Sequence, residues 1–293
     1  MAFDNAYEAI TEENDARWAF GTGFEDPLSG VDASVPRGVT GEDLAAYCLM
    51  LGDDALIMSH RLQQWVAKAP ELEDEVALAN IGLDLLGQAR LLLARAGKAD
   101  GSERSEDNYA YFRAERDFRN VRLVDADNGD FAFCIARLLV FATWRLALLS
   151  RLATSADPVL AAIAAKGIKE VTYHRDYAAQ WTTRLGDGTE LSHQRMQAGL
   201  DAVWPLVGEL FDLHPVELRL CEAGVATDPT GLREEFDAVL AQVLVSANLM
   251  LPEAAPLAGV AGKKGRDGVH TEAMGFLLAE LQSVARAHPE ATW

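Results

Sequence analysis

The 293-residue chain is poor in positive charge. It carries 26 Lys and Arg residues against 45 Asp and Glu residues, which gives a formal net charge of −19. Nucleic-acid binding depends on basic side chains that neutralise phosphates, and binding to an anionic membrane surface depends on similar basic patches. The charge balance therefore argues against both nucleic acid and a membrane surface as partners.

Cysteine is also scarce. The three cysteines are Cys48, Cys134 and Cys221, and none belongs to a C-x-x-C pair. This number and spacing indicate neither a disulfide framework nor a zinc knuckle. The first residues lack the basic region and the apolar run of a signal peptide. We therefore expect a reduced, cytoplasmic protein.

Residues that favour strands are few. The chain has 39 Val, Ile and Thr residues together, against 48 Ala and 39 Leu, and Ala and Leu favour helix. Hydrophobic residues make up 49% of the sequence, which is enough to build a core. The composition thus predicts an all-α protein.

Apolar residues recur at three- and four-residue spacing in four long segments, which predicts four long helices. They cover about residues 42–67, 71–96, 131–153 and 158–185. Shorter helices are predicted near residues 107–116, 192–212, 228–247 and 271–287. The 131–153 segment is apolar enough to resemble a membrane span, but Arg137 and Arg145 interrupt it and favour a buried core helix.

Helices joined by short loops run antiparallel, and one long linker, here between the second and third helices, is typical of the ferritin-like bundle. We therefore expect an all-α, ferritin-like antiparallel four-helix bundle with additional C-terminal helices over residues 41–293. Residues 1–40 are acidic and then rich in Gly and Pro. They are predicted to form a flexible or loosely docked N-terminal extension, whose Trp18, Phe20 and Phe24 could dock on another surface.

A ferritin-like bundle raises the question of a di-iron site. Such a site needs a Glu from each of two helices and a Glu-x-x-His pair from each of the other two. The literal match in a helical context is Glu190 with His193, which follows a glycine break where we expect Ser192 to cap a helix. The segment 131–156 contains no Asp, Glu or His. One helix of the bundle therefore offers no ligand.

A partial set of candidate ligands remains. Asp54 lies at the edge of the first helix's apolar stripe, whereas the neighbouring Asp53 is expected to point away. Asp84 lies on the polar stripe of the second helix, and Glu170 and His174 lie one turn apart on the fourth. One interpretation is a degenerate metal site. The other is that Asp84 faces solvent and that Glu170 and His174 form a buried, hydrogen-bonded pair.

One basic loop stands out against the acidic background. Lys263, Lys264 and Arg266 precede the last predicted helix, and a helix N-terminus favours anions. The loop could therefore contact a phosphate or a partner's carboxylate. The simpler interpretation is a loop that only faces solvent.

The string from Asn80 to Arg90 is highly specific for one family, and further characteristic segments are 51–62, 69–73, 78–90, 168–174, 262–265 and 270–272. Together these segments resemble the C subunits of bacterial phenylacetyl-CoA 1,2-epoxidases, over about residues 41–293. Members of this family can carry an acid in the middle of the third long helix. In this sequence the segment 141–145 has none.

The resemblance implies a ferritin-like, structural subunit without catalytic residues, metal or cofactor of its own. It also implies partners: a catalytic A subunit that holds the di-iron centre and forms a heterotetramer with this chain, a small B subunit, and a reductase with flavin and an iron–sulfur centre. Such a complex epoxidises phenylacetyl-CoA with O₂ and NADPH in aerobic phenylacetate catabolism. The alternative is a di-iron oxygenase with an unusual ligand set built from Asp54, Asp84, Glu170 and His174.

Overall fold

The computed structural model describes residue 28 and residues 30–291. Within these residues the regular secondary structure is helical, apart from one isolated bridge between Val260 and Lys263, so the all-α prediction is confirmed. The described part of the chain contains ten α-helices, numbered in chain order: α1 Gly41–Gln63, α2 Leu72–Ala99, α3 Glu106–Tyr111, α4 Arg122–Asp125, α5 Phe131–Leu152, α6 Pro158–Gly186, α7 Glu190–Val207, α8 Pro215–Glu222, α9 Arg233–Ser246 and α10 Glu272–Ala287.

The four long helices α1, α2, α5 and α6 form the predicted bundle. α1 packs along α2, α5 packs along α6, and α2 meets α6. Hydrogen bonds join Gln88 to Glu170 and Asp84 to His174, so the numbering rises along α2 as it falls along α6. The two helices are therefore antiparallel. α7 and α9 pack on α5 and α6 as the additional C-terminal helices.

Side-chain caps fix most helix starts where the sequence predicts them. Thr40 accepts a hydrogen bond from the backbone of Asp43, and Asp157 caps α6 ahead of Pro158. The predicted start of α7 at Ser192 is wrong. Its cap is Thr189, whose hydroxyl accepts the Ser192 N–H at 3.2 Å, so the helix begins at Glu190.

Two short helices are absent from the prediction. α8 begins at Pro215 and is closed by a reciprocal cap, in which His214 accepts from Val216 and Glu217 accepts from His214. Because the capping residues lie close together in the sequence, they could have indicated the start of this helix. α4 is a single turn whose residues are all buried, and its amphipathic period is too short to detect.

Helix α5 forms the centre of the core, as its sequence predicts. Among the described residues, α2 and α5 are long and apolar enough to cross a membrane. In α5, however, 94% of the most apolar 18-residue stretch is buried inside the protein. For α2 the buried share is 50%. Arg137 and Arg145 of α5 lie buried and donate hydrogen bonds to neighbouring segments.

The last part of the predicted N-terminal extension lies against the bundle. Buried Arg95 of α2 donates to the carbonyls of Ala33 and Ser34, and Val31 and Val35 pack partly on the core. Trp18, Phe20 and Phe24, which are predicted to dock on a surface, lie outside the described residues.

Candidate functional site in the bundle interior

A hydrogen-bond network of polar side chains crosses the bundle at the level where the sequence places the candidate ligands. Arg145 of α5 is 1% exposed. Its Nε donates to Oε1 of Gln88 on α2 at 2.9 Å, and its Nη1 donates to the Leu51 carbonyl on α1 at 3.3 Å. Gln88 in turn donates to Glu170 of α6 at 2.8 Å. This network, which runs from the Leu51 carbonyl to the Glu170 carboxylate, thus joins all four bundle helices.

Arg145 carries a positive charge into this interior. Burial lowers the pKa of its guanidinium to about 10, a value that still leaves the group protonated at neutral pH. The nearby carboxylates of Asp54 and Glu170 favour the charged form. The interior of the bundle therefore holds a fixed cation at a helix that supplies no acid.

Glu170 is engaged on both carboxylate oxygens. Oε2 accepts from Gln88, and Oε1 lies 3.2 Å from Nζ of Lys166, one turn earlier on the same helix. The structure shows no hydrogen bond between Glu170 and His174. The expected Glu170–His174 pair does not form, because a side chain of α2 binds each of these residues across the helix interface.

His174 pairs with Asp84 instead. The two side chains meet at 3.0 Å between Nε2 and Oδ2, with His174 buried and Asp84 about one third exposed. Asp84 therefore lies at the edge of the bundle, neither fully solvated nor enclosed. Among the four candidate ligands, the structure brings Asp84 and His174 into direct contact and leaves Glu170 to Gln88 and Lys166.

Asp54 is fully buried, but its partner is a cation. Arg266 donates to its two carboxylate oxygens at 3.0 and 2.8 Å, and the Val121 N–H donates at 2.9 Å. Burial disfavours the charged guanidinium, yet Asp54 and Glu217 outweigh it and raise the pKa of Arg266. The prediction that Arg266 belongs to a solvated or anion-contacting loop is therefore wrong, because its guanidinium lies in the core against Asp54.

Lys263 and Lys264 lie on the surface side of that loop. Lys263 is exposed, and the half-buried Lys264 forms an ion pair with Asp212. Lys263 thus has the most open position of the three basic residues in this loop.

Asp53 is not directed away from the protein, as its place on the helix led us to expect. It is fully buried, with Arg113 donating to both oxygens and the Arg119 N–H donating at 2.8 Å. The segment that holds α3 and α4 covers this second side of α1. A helical wheel of α1 alone cannot reveal a cover that comes from a distant segment.

A further buried pair joins the C-terminal segment to α4. Nδ1 of His270 lies 2.8 Å from Asp125, and its Nε2 lies 3.2 Å from the Phe118 carbonyl. Burial opposes a charged imidazole, but these two acceptors outweigh it and raise the pKa of His270. Sequence analysis missed this pair, because nothing local marks two residues that lie so far apart in the chain.

The residues present do not fit a di-iron centre. Among the described residues, no group of three His, Cys, Asp or Glu side chains is placed to hold a metal ion. Asp54 is ion-paired with Arg266, and Glu170 is bound to Gln88 and Lys166. The Arg145 guanidinium would also repel a cation in the same interior. This arrangement can hold the four helices together through hydrogen bonds and ion pairs.

Comparison with known proteins gives two matches. The profile of a family described as PaaA_PaaC, phenylacetic acid catabolic protein, matches residues 32–293. The C subunit of the 1,2-phenylacetyl-CoA epoxidase of Escherichia coli (strain K12) is 45% identical over 251 residues. The match covers 85% of this chain and 99% of the E. coli protein.

Proposed function

The chain belongs to the phenylacetic acid catabolic protein family, and from that membership we propose that it is a structural, non-catalytic subunit of a phenylacetyl-CoA epoxidase complex. The resemblance noted in the sequence is thereby confirmed at the level of the family. The proposed role is to bind the catalytic A subunit in a heterotetramer and to hold its helices in place. A small B subunit and a reductase with flavin and an iron–sulfur centre complete the proposed cytoplasmic complex.

The observation that carries this proposal is the position of Arg145. Its guanidinium lies in the bundle interior, bound to Gln88 and Leu51, where an oxygen-activating metal pair would need carboxylates. The candidate acids are instead bound to cations, to amides and, for Asp84, to the His174 imidazole. Under the proposal the di-iron centre and the oxygen chemistry belong to the A subunit, and no step of the reaction uses a residue of this chain.

A scaffold role suits the way in which the bundle is fastened. Breaking a buried ion pair costs about 3–5 kcal/mol, because the remaining charge has no partner. Arg95 with Asp157, Arg113 with Asp53 and Arg122 with Glu209 are all such buried pairs. They tie α2 to the start of α6, the segment after α3 to α1, and α4 to the turn after α7. They therefore favour one fixed arrangement of the surface that a partner would meet.

The direct test is to co-express the chain with the A subunit of the same organism and to measure ring epoxidation with B subunit and reductase present. We expect the two chains to co-purify, and we expect the A subunit alone to be weakly active or unstable. Full activity and stability of the A subunit without this chain would contradict the structural role.

The competing hypothesis, an oxygenase in its own right, makes a different prediction for the same preparation. It requires near-stoichiometric iron in the isolated chain, and it requires that iron to be lost in Glu170→Ala. The matched control is Glu190→Ala, which changes an exposed acid outside the bundle interior. Iron that depends on Glu170 but not on Glu190 would favour the oxygenase.

A further inference from the structure

Helix α2 presents a row of apolar residues to solvent on the side that faces away from the core. The row follows alternating steps of four and three residues: Leu72, Val76, Ala79, Leu83 and Leu86, with the charged Arg90 at its end. Ala79 and Leu86 are half-buried. Leu72 is 70% exposed, Val76 is 53% exposed and Leu83 is 52% exposed. We call this row the outer seam.

The outer seam has the spacing of a helix-packing surface. Alternating three- and four-residue steps keep apolar side chains on one line, and such a line packs against a second α-helix. A surface helix of a monomer normally has polar residues opposite its buried face. α2 has a buried face of its own and carries this second apolar line as well, which accounts for its half-buried apolar window.

Helix α6 extends the same face. The Asp84–His174 and Gln88–Glu170 bonds hold α6 beside α2, and the neighbouring Tyr173 ring is 50% exposed. Gly87 of α2, which follows the Leu83 turn, has open space around the position of an added Cβ. The face therefore combines exposed apolar side chains with a glycine that lets another backbone come close.

The charges that border the outer seam differ between its two ends. Glu71, Glu73 and Glu75 lie around the start of α2. Because α6 runs antiparallel, the exposed Lys169 lies beside the other half of α2, whereas Lys166 there is paired with Glu170. A segment that covers the seam would match it best with basic residues at the first end and acidic residues at the second.

We propose that the outer seam, together with Tyr173, is the docking surface for an α-helix of the catalytic partner. The docking helix would carry apolar residues at three- and four-residue spacing, with one basic end and one acidic end. This inference rests on the proposed function and adds where the partner binds. A second copy of this chain fits less well, because each copy carries a net charge of −19 and like charges oppose association.

The dimensions agree with the centre of a stable interface. Leu72 to Arg90 spans about 27 Å at ~1.5 Å per residue. With neighbouring helices about 8–10 Å apart, the outward side of α2 and α6 amounts to roughly 500 Å². One side of a stable complex buries ~800 Å². The seam would therefore supply the apolar centre, and polar residues around it would supply the rim.

The test uses Leu83→Glu in the full chain, co-expressed with the A subunit. Leu83 is half exposed, so Glu keeps helix propensity and leaves the core of this chain intact. Phe276→Glu on α10 is the matched control, because Phe276 is 79% exposed and lies on a different face. We expect Leu83→Glu to weaken binding to the A subunit by about tenfold or more, as for a central interface residue, and Phe276→Glu to leave it unchanged.

A second variant separates docking from folding. Gly87→Gln adds a side chain into open space, so the isolated chain should fold at least as well as the native chain while the partner helix is held off. Both variants are first checked for helix content and for thermal unfolding. Loss of binding by a well-folded Gly87→Gln chain would support the docking surface.

The outcomes separate the inference from the function on which it rests. If the native chain fails to bind the A subunit, the proposed function fails. If the native chain binds and Leu83→Glu binds equally well, the function stands and the outer seam is not the docking surface. If the isolated native chain is a dimer that Leu83→Glu dissociates, a second copy covers the seam and the inference is overturned.

Discussion

Arg266 and Asp54 form a two-point ion pair in the core, with hydrogen bonds of 3.0 and 2.8 Å. From the sequence these residues are expected to have two unrelated roles, in a basic surface loop and as a metal ligand. In the structure each satisfies the other. Arg266 also donates to the carbonyls of Met50 and Arg119, so one side chain ties the C-terminal segment to α1 and to the segment before α4.

Removing Arg266 should destabilise the chain strongly. Arg266→Met leaves the Asp54 carboxylate buried without its cation, so we expect the free energy of unfolding to fall by about 3–5 kcal/mol. Urea denaturation followed by circular dichroism measures this change. The control Lys263→Met, in the same loop but exposed, should stay within about 0.5 kcal/mol of the native value. Equal effects of the two variants would refute the buried pair.

Two glycines should respond in opposite directions to alanine. A Cβ at Gly265 would lie 2.2 Å from the Asn120 carbonyl and 2.7 Å from a Glu209 carboxylate oxygen, so Gly265→Ala should destabilise by about 1–3 kcal/mol. Gly87→Ala meets open space within α2 and should stabilise the isolated chain by up to about 1 kcal/mol. Thermal unfolding of both variants provides the comparison, and a stabilising Gly265→Ala would show that the loop is not closely packed.

His270 should make stability depend on pH. Its pKa is raised in the folded chain, so its contribution is complete below the unfolded imidazole pKa of about 6.5 and is lost as pH rises through the folded value. We therefore expect the free energy of unfolding of the native chain to fall, relative to His270→Gln, as pH rises. His60 and His214, whose pKa values are lowered, are present in both proteins and cancel in the difference. A difference that is constant with pH would contradict the charged pair.

We propose that the exposed Lys263 of the basic loop contacts the CoA phosphates or the partner, without a part in the oxygen chemistry. In the assembled complex, Lys263→Glu should raise KM for the CoA substrate and leave kcat unchanged, because only a binding contact is lost. Lys98→Glu, at the exposed end of α2, provides a charge-matched control. An unchanged KM in Lys263→Glu would remove this contact from the proposal.

Periodicity predicted the fold well because the four long helices each bury a continuous apolar face. α6 starts at Pro158 as its local signals indicate, and α5 spans 131–152, one residue short of the prediction. The first helix ends at Gln63 instead of residue 67, because the backbone after it turns through short-range hydrogen bonds. Thr40 and Asp157 cap helices close to their predicted starts, whereas Ser192 is not the cap that we expect from the sequence.

The candidate site was harder to predict, because its partners come from distant parts of the chain. A helical wheel placed His174 near the apolar side of α6, but could not show that its partner is Asp84 on another helix. Asp53 and Asp54 have cationic partners that lie 60 and 212 residues away, respectively. Arg145 stands out in the sequence as a charge in an apolar helix, but nothing local shows that its partner is Gln88.

The central claim is that oxygen activation belongs to the partner and not to this chain. Its most direct test is the iron content of each chain after the co-purified complex is separated under conditions that retain bound metal. We predict about two iron ions per A subunit, as a di-iron centre requires, and only trace iron with this chain. Two iron ions per copy of this chain, with the Arg145 network displaced, would contradict the account.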